Sequence, residues 1–267
     1  VSRLPAFYIP HGGGPCFFMA WPPPLTHTWD SLAAFLRGLR DTVETRPRAI
    51  VVISAHWEES LPTVTMAARP PLIFDYYGFP PETYELTYDA PGAPGVAARV
   101  RELLGTAGID ASADATRGFD HGVFVPFKLI EPEAAIPIVQ LSLVSGLDPE
   151  RHLAIGRALA PLRDEGVLIV GSGMSYHNMR EFMSRSPAAR GGESFDAWLG
   201  DVAAAEPGRR DEGLRAWKLA PGARLAHPRE EHLIPLMVAA GAAPAERGTR
   251  VFHDLISGAP IAGFRFG

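Results

Sequence analysis

The chain has 267 residues, a formal net charge of −5, a hydrophobic fraction of 46% and a charged fraction of 21%. These values fit a globular protein of one or two domains with a sizeable core. Lys, Arg, Asp and Glu are scattered, which excludes a basic stripe for nucleic acid and a polybasic cluster for an anionic membrane.

The N-terminal Val1-Ser2-Arg3-Leu4-Pro5 lacks the apolar core of a secretory signal and predicts a cytoplasmic protein. A first strand is expected over Ala6–Ile9, followed by His11-Gly12-Gly13-Gly14-Pro15. The glycines would let backbone and ligand approach closely. No Gly-Lys-Ser/Thr follows, and the spacing is wrong for a dinucleotide fingerprint. Cys16 is the only cysteine, so intrachain disulfides and thiolate zinc clusters are excluded. It reads as a small buried apolar residue, and any transition metal must be held by His and carboxylates.

A helix is predicted over Ser31–Leu39 and the strongest strand over Ala49–Ser54, leading into Ser54-Ala55-His56-Trp57. Apolar runs such as 49–53 are too short to span a bilayer. Val64–Ala67 reads as a strand and Gly95–Leu104 as a helix; His121 then stands in a polar island, Gly118-Phe119-Asp120-His121-Gly122, flanked by aromatics. Ile136–Leu143 is a further strand, Pro149–Glu165 a helix and Val167–Gly171 a strand, with Tyr176-His177-Asn178 shortly after. Ser172, in Gly171-Ser172-Gly173, is not in the Gly-x-Ser-x-Gly elbow of hydrolases. Helices over Phe195–Ala205 and Leu233–Ala240 complete the pattern, the second preceded by Glu230-Glu231-His232, whose two carboxylates are candidate ligands. Strands alternating with helices predict an α/β sheet with helices on both faces. No linker stands apart and no repeat has a fixed period, so residues 1–267 read as a single domain.

There are nine histidines. His11, His56 and His177 each fall just beyond the carboxyl end of a predicted strand, the edge of an open α/β sheet where ligand crevices form. Imidazole suits iron, zinc, copper and nickel, so these side chains could converge on a metal. Taken singly, a histidine at a strand end is more often a hydrogen-bonded loop residue. His27, His152 and His253 have no comparable context and read as surface or structural.

The set His11-Gly12-Gly13-Gly14-Pro15, Ser54-Ala55-His56-Trp57, Gly118-Phe119-Asp120-His121-Gly122, Tyr176-His177-Asn178 and Glu231-His232-Leu233-Ile234-Pro235-Leu236 resembles the class III extradiol dioxygenases. Within them it is similar to the DOPA-dioxygenase-like branch, as are Gly78-Phe79-Pro80, Tyr88-Asp89-Ala90-Pro91-Gly92 and Pro137-Ile138-Val139-Gln140-Leu141-Ser142. These motifs span nearly the whole chain. The resemblance implies one catalytic α/β domain with a mixed central sheet and a non-haem Fe(II) cofactor. It also implies insertion of both atoms of O₂ beside the hydroxyls of a catechol, giving a ring-opened semialdehyde acid. By the same resemblance His11, His56 and His232 are metal ligands, the last standing where the wider superfamily has a Glu. His177 matches the catalytic base and doubles as a fourth ligand when zinc is bound, and His121 matches a second histidine near the dioxygen site.

An all-imidazole site also accepts Zn(II). Phe17, Trp57, Tyr76, Tyr77, Phe79, Phe119, Phe124 and Tyr176 are candidates to line a slot for a flat ring, and Arg180 a candidate partner for a substrate carboxylate. DOPA, caffeate, protocatechuate and simpler catechols all remain open as substrates. The expected partners are thus a small aromatic diol and O₂, with no nucleic acid or membrane, in a monomer or small homo-oligomer. Two other readings use the same residues: a zinc hydrolase or lyase acting through metal-activated water, or a non-catalytic binding protein on the same scaffold.

Overall fold

The computed structural model describes residues 3–184 and 192–267. Strands β1 (Ala6–Pro10), β2 (Ala49–Glu59), β3 (Thr63–Thr65), β4 (Ser112–Asp114), β5 (Ile138–Val144), β6 (Val167–Gly173), β7 (Gly248–Ile256) and β8 (Ala259–Phe266) form one sheet in the order β4-β3-β5-β2-β6-β1-β8-β7. The four central strands β5-β2-β6-β1 are parallel. They read as unbroken apolar runs because helices cover both faces. β3 pairs antiparallel with β5, and the β7–β8 hairpin adds antiparallel to β1, so the sheet is mixed as expected.

β6 defines the two faces. Side chains alternate along a strand, so Gly171 and Gly173 share one face and Ser172 has the other. On the glycine side sits the turn that enters helix α10 (Ile234–Gly241). A methyl group at Gly171 would lie 2.3 Å from the Pro235 carbonyl oxygen, and one at Gly173 only 2.1 Å from that of His232. On the opposite side, the Ser172 hydroxyl donates to the Gly122 carbonyl of helix α3 (His121–Ile130).

The remaining helices are α1 (Asp30–Leu39), α2 (Pro94–Thr106), α4 (Pro149–Leu159), α5 (Pro161–Asp164), α6 (Met179–Ser184), α7 (Gly192–Ala204), α8 (Pro207–Arg215) and α9 (Ala223–Ala226). The helix expected over 149–165 is therefore two, broken at Pro161, which has no N–H to continue the ladder. α3 was not expected. It carries Pro126 and is buried at every position but Lys128, so it shows no amphipathic period. The β7–β8 hairpin was also missed. Its two-residue turn places Ser257 at φ 50 and Gly258 at φ 83, the left-handed pair of a tight hairpin turn. β2 runs five residues past the expected end at Ser54, through a register break against β5 between Ile53 and Glu58. His56 thus lies inside the strand, within that irregular stretch, rather than after it. Among the described residues no helix is long and apolar enough to cross a membrane.

Candidate metal centre

His11 follows β1 directly, and its backbone N–H continues the ladder to the Gly173 carbonyl at 3.0 Å. Its ring is 1% exposed, with Nδ1 at 3.1 Å from the Ser172 hydroxyl. That hydroxyl already donates its one hydrogen to the Gly122 carbonyl, so it can only accept from His11 Nδ1–H. The tautomer follows: Nε2 of His11 carries a free lone pair.

His56 Nε2 stands 3.1 Å from His11 Nε2. Two nitrogens bound to one ion at about 2.1 Å lie about 3.0–3.4 Å apart, so the spacing fits a shared metal. His232, in the turn before α10, is the third member of a group whose donor atoms all lie within 4.8 Å of one another. Its carbonyl accepts from the Tyr8 hydroxyl at 2.7 Å and from the Met174 N–H at 3.1 Å, pinning the turn to β1 and the end of β6. Burial, then the neighbouring imidazoles, pushes the pKa of His11 and His232 well below the ordinary value; burial and His121 do the same to His56. All three stay neutral, the form that binds a metal.

His121 opens α3, its ring centroid 3.9 Å from that of His56. Asp75 Oδ1 accepts from its backbone N–H at 2.9 Å and faces its Nδ1 at 2.8 Å. His177 is held by its N–H to the Ala226 carbonyl at 2.8 Å and stacks on His232 at 3.3 Å between centroids. Glu231 Oε1 lies 2.9 Å from His232 Nδ1 and 3.2 Å from His177 Nδ1. Burial raises both carboxyls, but hydrogen bonds from His121 onto Asp75 and from His177 onto Glu231 hold each below the usual carboxylate range.

The structure therefore brings His11, His56, His121, His177 and His232 to one cavity of about 270 Å³. Glu230 is not among them, since Arg224 and Lys218 bind its carboxylate at 2.8 and 3.0 Å. His27 is exposed beside Asp30, and His253 pairs with Asp196. His152 is buried, accepting from the Val144 N–H, and is structural as expected. Of the aromatics expected to line a slot, Tyr76, Phe79 and Tyr176 do so. Phe119 and Phe124 are core, Trp57 lies beneath Arg117, Phe17 packs edge-on against Trp29, and Tyr77 is 87% exposed. Arg180 is exposed and outside the cavity wall.

Sequence reasoning missed Asp75, the Ser172 contact, and Trp21, Trp29 and Phe182 in the wall. It also missed the buried support under His56. There Asp120 accepts from Ser54 at 2.7 Å and from Gln140, while Ser54 Oγ accepts the His56 N–H at 3.2 Å. Asp120 stands immediately before His121, which was the one available signal.

The pattern of the family described as the catalytic LigB subunit of aromatic ring-opening dioxygenase matches residues 5–265. A protein of Hapsidospora irregularis named dioxygenase tasH is 42% identical over all of this chain and 86% of its own length. The 4,5-DOPA dioxygenase extradiol of Beta vulgaris is 40% identical over 89% of this chain and 90% of its own. Among solved structures, an uncharacterized protein from Escherichia coli superposes with a TM-score of 0.77 at 30% identity, covering 99% of this chain and 100% of that one.

Proposed function

The chain belongs to the LigB family of aromatic ring-opening dioxygenases, and on that premise we propose that residues 1–267 form one catalytic domain that opens a catechol by extradiol cleavage. The observation that carries this reading is the convergence of five histidines, from five separate segments, on one apolar cavity. Three of them, His11, His56 and His232, form the ligand set, and the neutral, lone-pair nitrogens suit a divalent metal. The bound metal, Fe(II) for activity with Zn(II) accepted by the same donors, would supply a Lewis acid beside which catechol and O₂ meet.

The protein's own groups do the rest. Tyr76, Phe79 and Trp29 flank a flat ring and exclude water around it. His177, with Nδ1 held by Glu231, has Nε2 available to take the proton of a catechol hydroxyl. His121, oriented by Asp75, stands across the cavity to hold a proton toward the oxygen on which negative charge develops.

The test is anaerobic reconstitution of metal-free protein with Fe(II) or Zn(II), then air and a panel of catechols, with O₂ uptake and product absorbance recorded together. Uptake with a coloured ring-opened product under Fe(II) supports the reading. Silence with both metals despite stoichiometric binding, or oxygen-independent turnover of an ester or amide, overturns it.

A further inference from the structure

The five histidines are not held independently. Asp75 reaches two of them: Oδ1 takes both N–H groups of His121, and Oδ2 lies 3.7 Å from Nδ1 of His56. Glu231 also reaches two, with Oε1 shared between Nδ1 of His232 and Nδ1 of His177. Each carboxylate thus spans one imidazole of the ligand set and one outside it. Neither comes from the strands that position the ligands. Asp75 precedes Tyr76 in the loop after β3, and Glu231 precedes His232 in the turn before α10.

We propose that Asp75 and Glu231 are paired positioning residues: Asp75 locks His121, and Glu231 locks both His177 and the metal-binding His232, in the Nδ1–H tautomer with Nε2 turned to the cavity, while the Asp75 charge faces His56 at 3.7 Å. The inference rests on the functional reading only for the roles of His121 and His177; the tautomers themselves follow from geometry. An ionised carboxylate has lone pairs and no hydrogen, so the nitrogen facing it must carry the proton. For His232 this leaves Nε2 as the donor to metal, the carboxylate–histidine arrangement that orients a ligand and raises its basicity. For His121 and His177 the same lock sets which nitrogen exchanges protons with substrate. Ser172 performs this task for His11 with a neutral oxygen, so His11, His121, His177 and His232 are locked the same way. Because each carboxylate serves both kinds of ring, loss of one carboxylate damages metal binding and proton transfer together.

The experiment uses full-length protein labelled with ¹⁵N-histidine, metal-free and Zn(II)-loaded, with tautomers read from ring nitrogen shifts and long-range couplings. The expected native result is Nδ1–H at His121 and His177 in both states. Asp75→Ala should release His121 to a mixture of tautomers, and Glu231→Ala should release His177. Glu231→Ala should weaken Zn(II) affinity by about 10–100-fold in chelator competition, the range for loss of a ligand's hydrogen-bonded partner, and Asp75→Ala by less, since only its charge reaches His56. Where an alanine variant does not fold, the amides decide. Asp75→Asn keeps an acceptor toward His121 but turns an N–H₂ toward His56, so it should keep the His121 tautomer while Zn(II) affinity falls. Glu231→Gln keeps an acceptor at Oε1 and should retain both tautomers.

With Fe(II) and a catechol at saturation, both alanine variants should lose kcat while KM changes less than about threefold, since oriented proton transfer is worth about 10²–10⁴ in rate. An Nε2–H tautomer at native His121 or His177 overturns the proposal, as do unchanged tautomers and metal affinity in the folded alanine variants. If native protein opens no catechol at all, the functional reading fails, and the tautomer and affinity measurements still decide the positioning role.

Discussion

Gly122→Ala is the most direct probe of how the fold holds His56. The added methyl would sit 2.6 Å from Ser54 Oγ, 3.0 Å from His56 Cδ2 and 3.2 Å from Asp120 Oδ1. Ser54 cannot swing away freely, because its oxygen donates to Asp120 and accepts the His56 N–H. Two opposing terms set the stability. Replacing glycine inside a helix gains about 1 kcal/mol of propensity. Overpacking a tight core costs about 1–3 kcal/mol, and a strained hydrogen bond about 1 kcal/mol more. The net is a destabilisation of about 1–3 kcal/mol, visible in urea unfolding but not enough to abolish folding. Metal binding should suffer more than stability, because the clash falls on the His56 ring itself. A shift of a few tenths of an ångström in one donor should weaken Zn(II) by about 10-fold or more, in line with disturbed ligand support elsewhere. Chelator competition on folded protein measures this. Unchanged affinity in a variant destabilised as expected would mean that His56 is not a donor, or that α3 does not position it.

Three further outcomes follow from the same geometry. His56→Ala should lose the metal, whereas His177→Ala should keep it and lose about 10²–10⁴ in turnover; metal analysis beside single-turnover kinetics separates the two. Ser172→Ala leaves His11 Nδ1–H and the Gly122 carbonyl without their partner, costing about 1–3 kcal/mol in unfolding free energy for each orphaned group. His152 governs part of the acid stability. Burial pushes its imidazole down to about 4 from 6.5, so as pH falls through that window the unfolded chain takes up a proton that the native fold refuses. Stability should drop by about 3 kcal/mol between those limits from this group alone, at about 1.4 kcal/mol per pH unit. In His152→Gln that slope should shrink by one proton, and an unchanged slope would rule His152 out as its source.

The site was more legible in the sequence than the scaffold around it. His11 and His177 were visible because parallel strands buried on both faces leave unmistakable apolar runs, and their ends could be read directly. The two carboxylates that orient the rings were not equally visible. Glu231 was seen only as a candidate ligand, and its place behind His232 and His177 depends on a turn whose path periodicity does not encode. Asp75 sits in an irregular loop among aromatics, where neither period nor motif marks it. α3 and the β7–β8 hairpin escaped for opposite reasons. The helix is apolar all round, while the hairpin's second strand carries Pro260 and Gly263, which argue against a strand in isolation. In both cases tertiary burial overrides the local signal.

The alternation at Gly171-Ser172-Gly173 ties chemistry to strand register. Ser172 is aligned with Ile9 of β1 on one side and with Ser54 of β2 on the other, so the strands carrying His11 and His56 both index against this residue. A slip of one residue would turn the serine toward the His232 turn, where no side chain fits, and leave glycine beneath His11. Misregistered chains are thereby denied both close packing and a tautomer-locked His11. Acquisition of metal affinity during refolding should therefore coincide with correct pairing of β6, making the metal a reporter of register rather than of collapse.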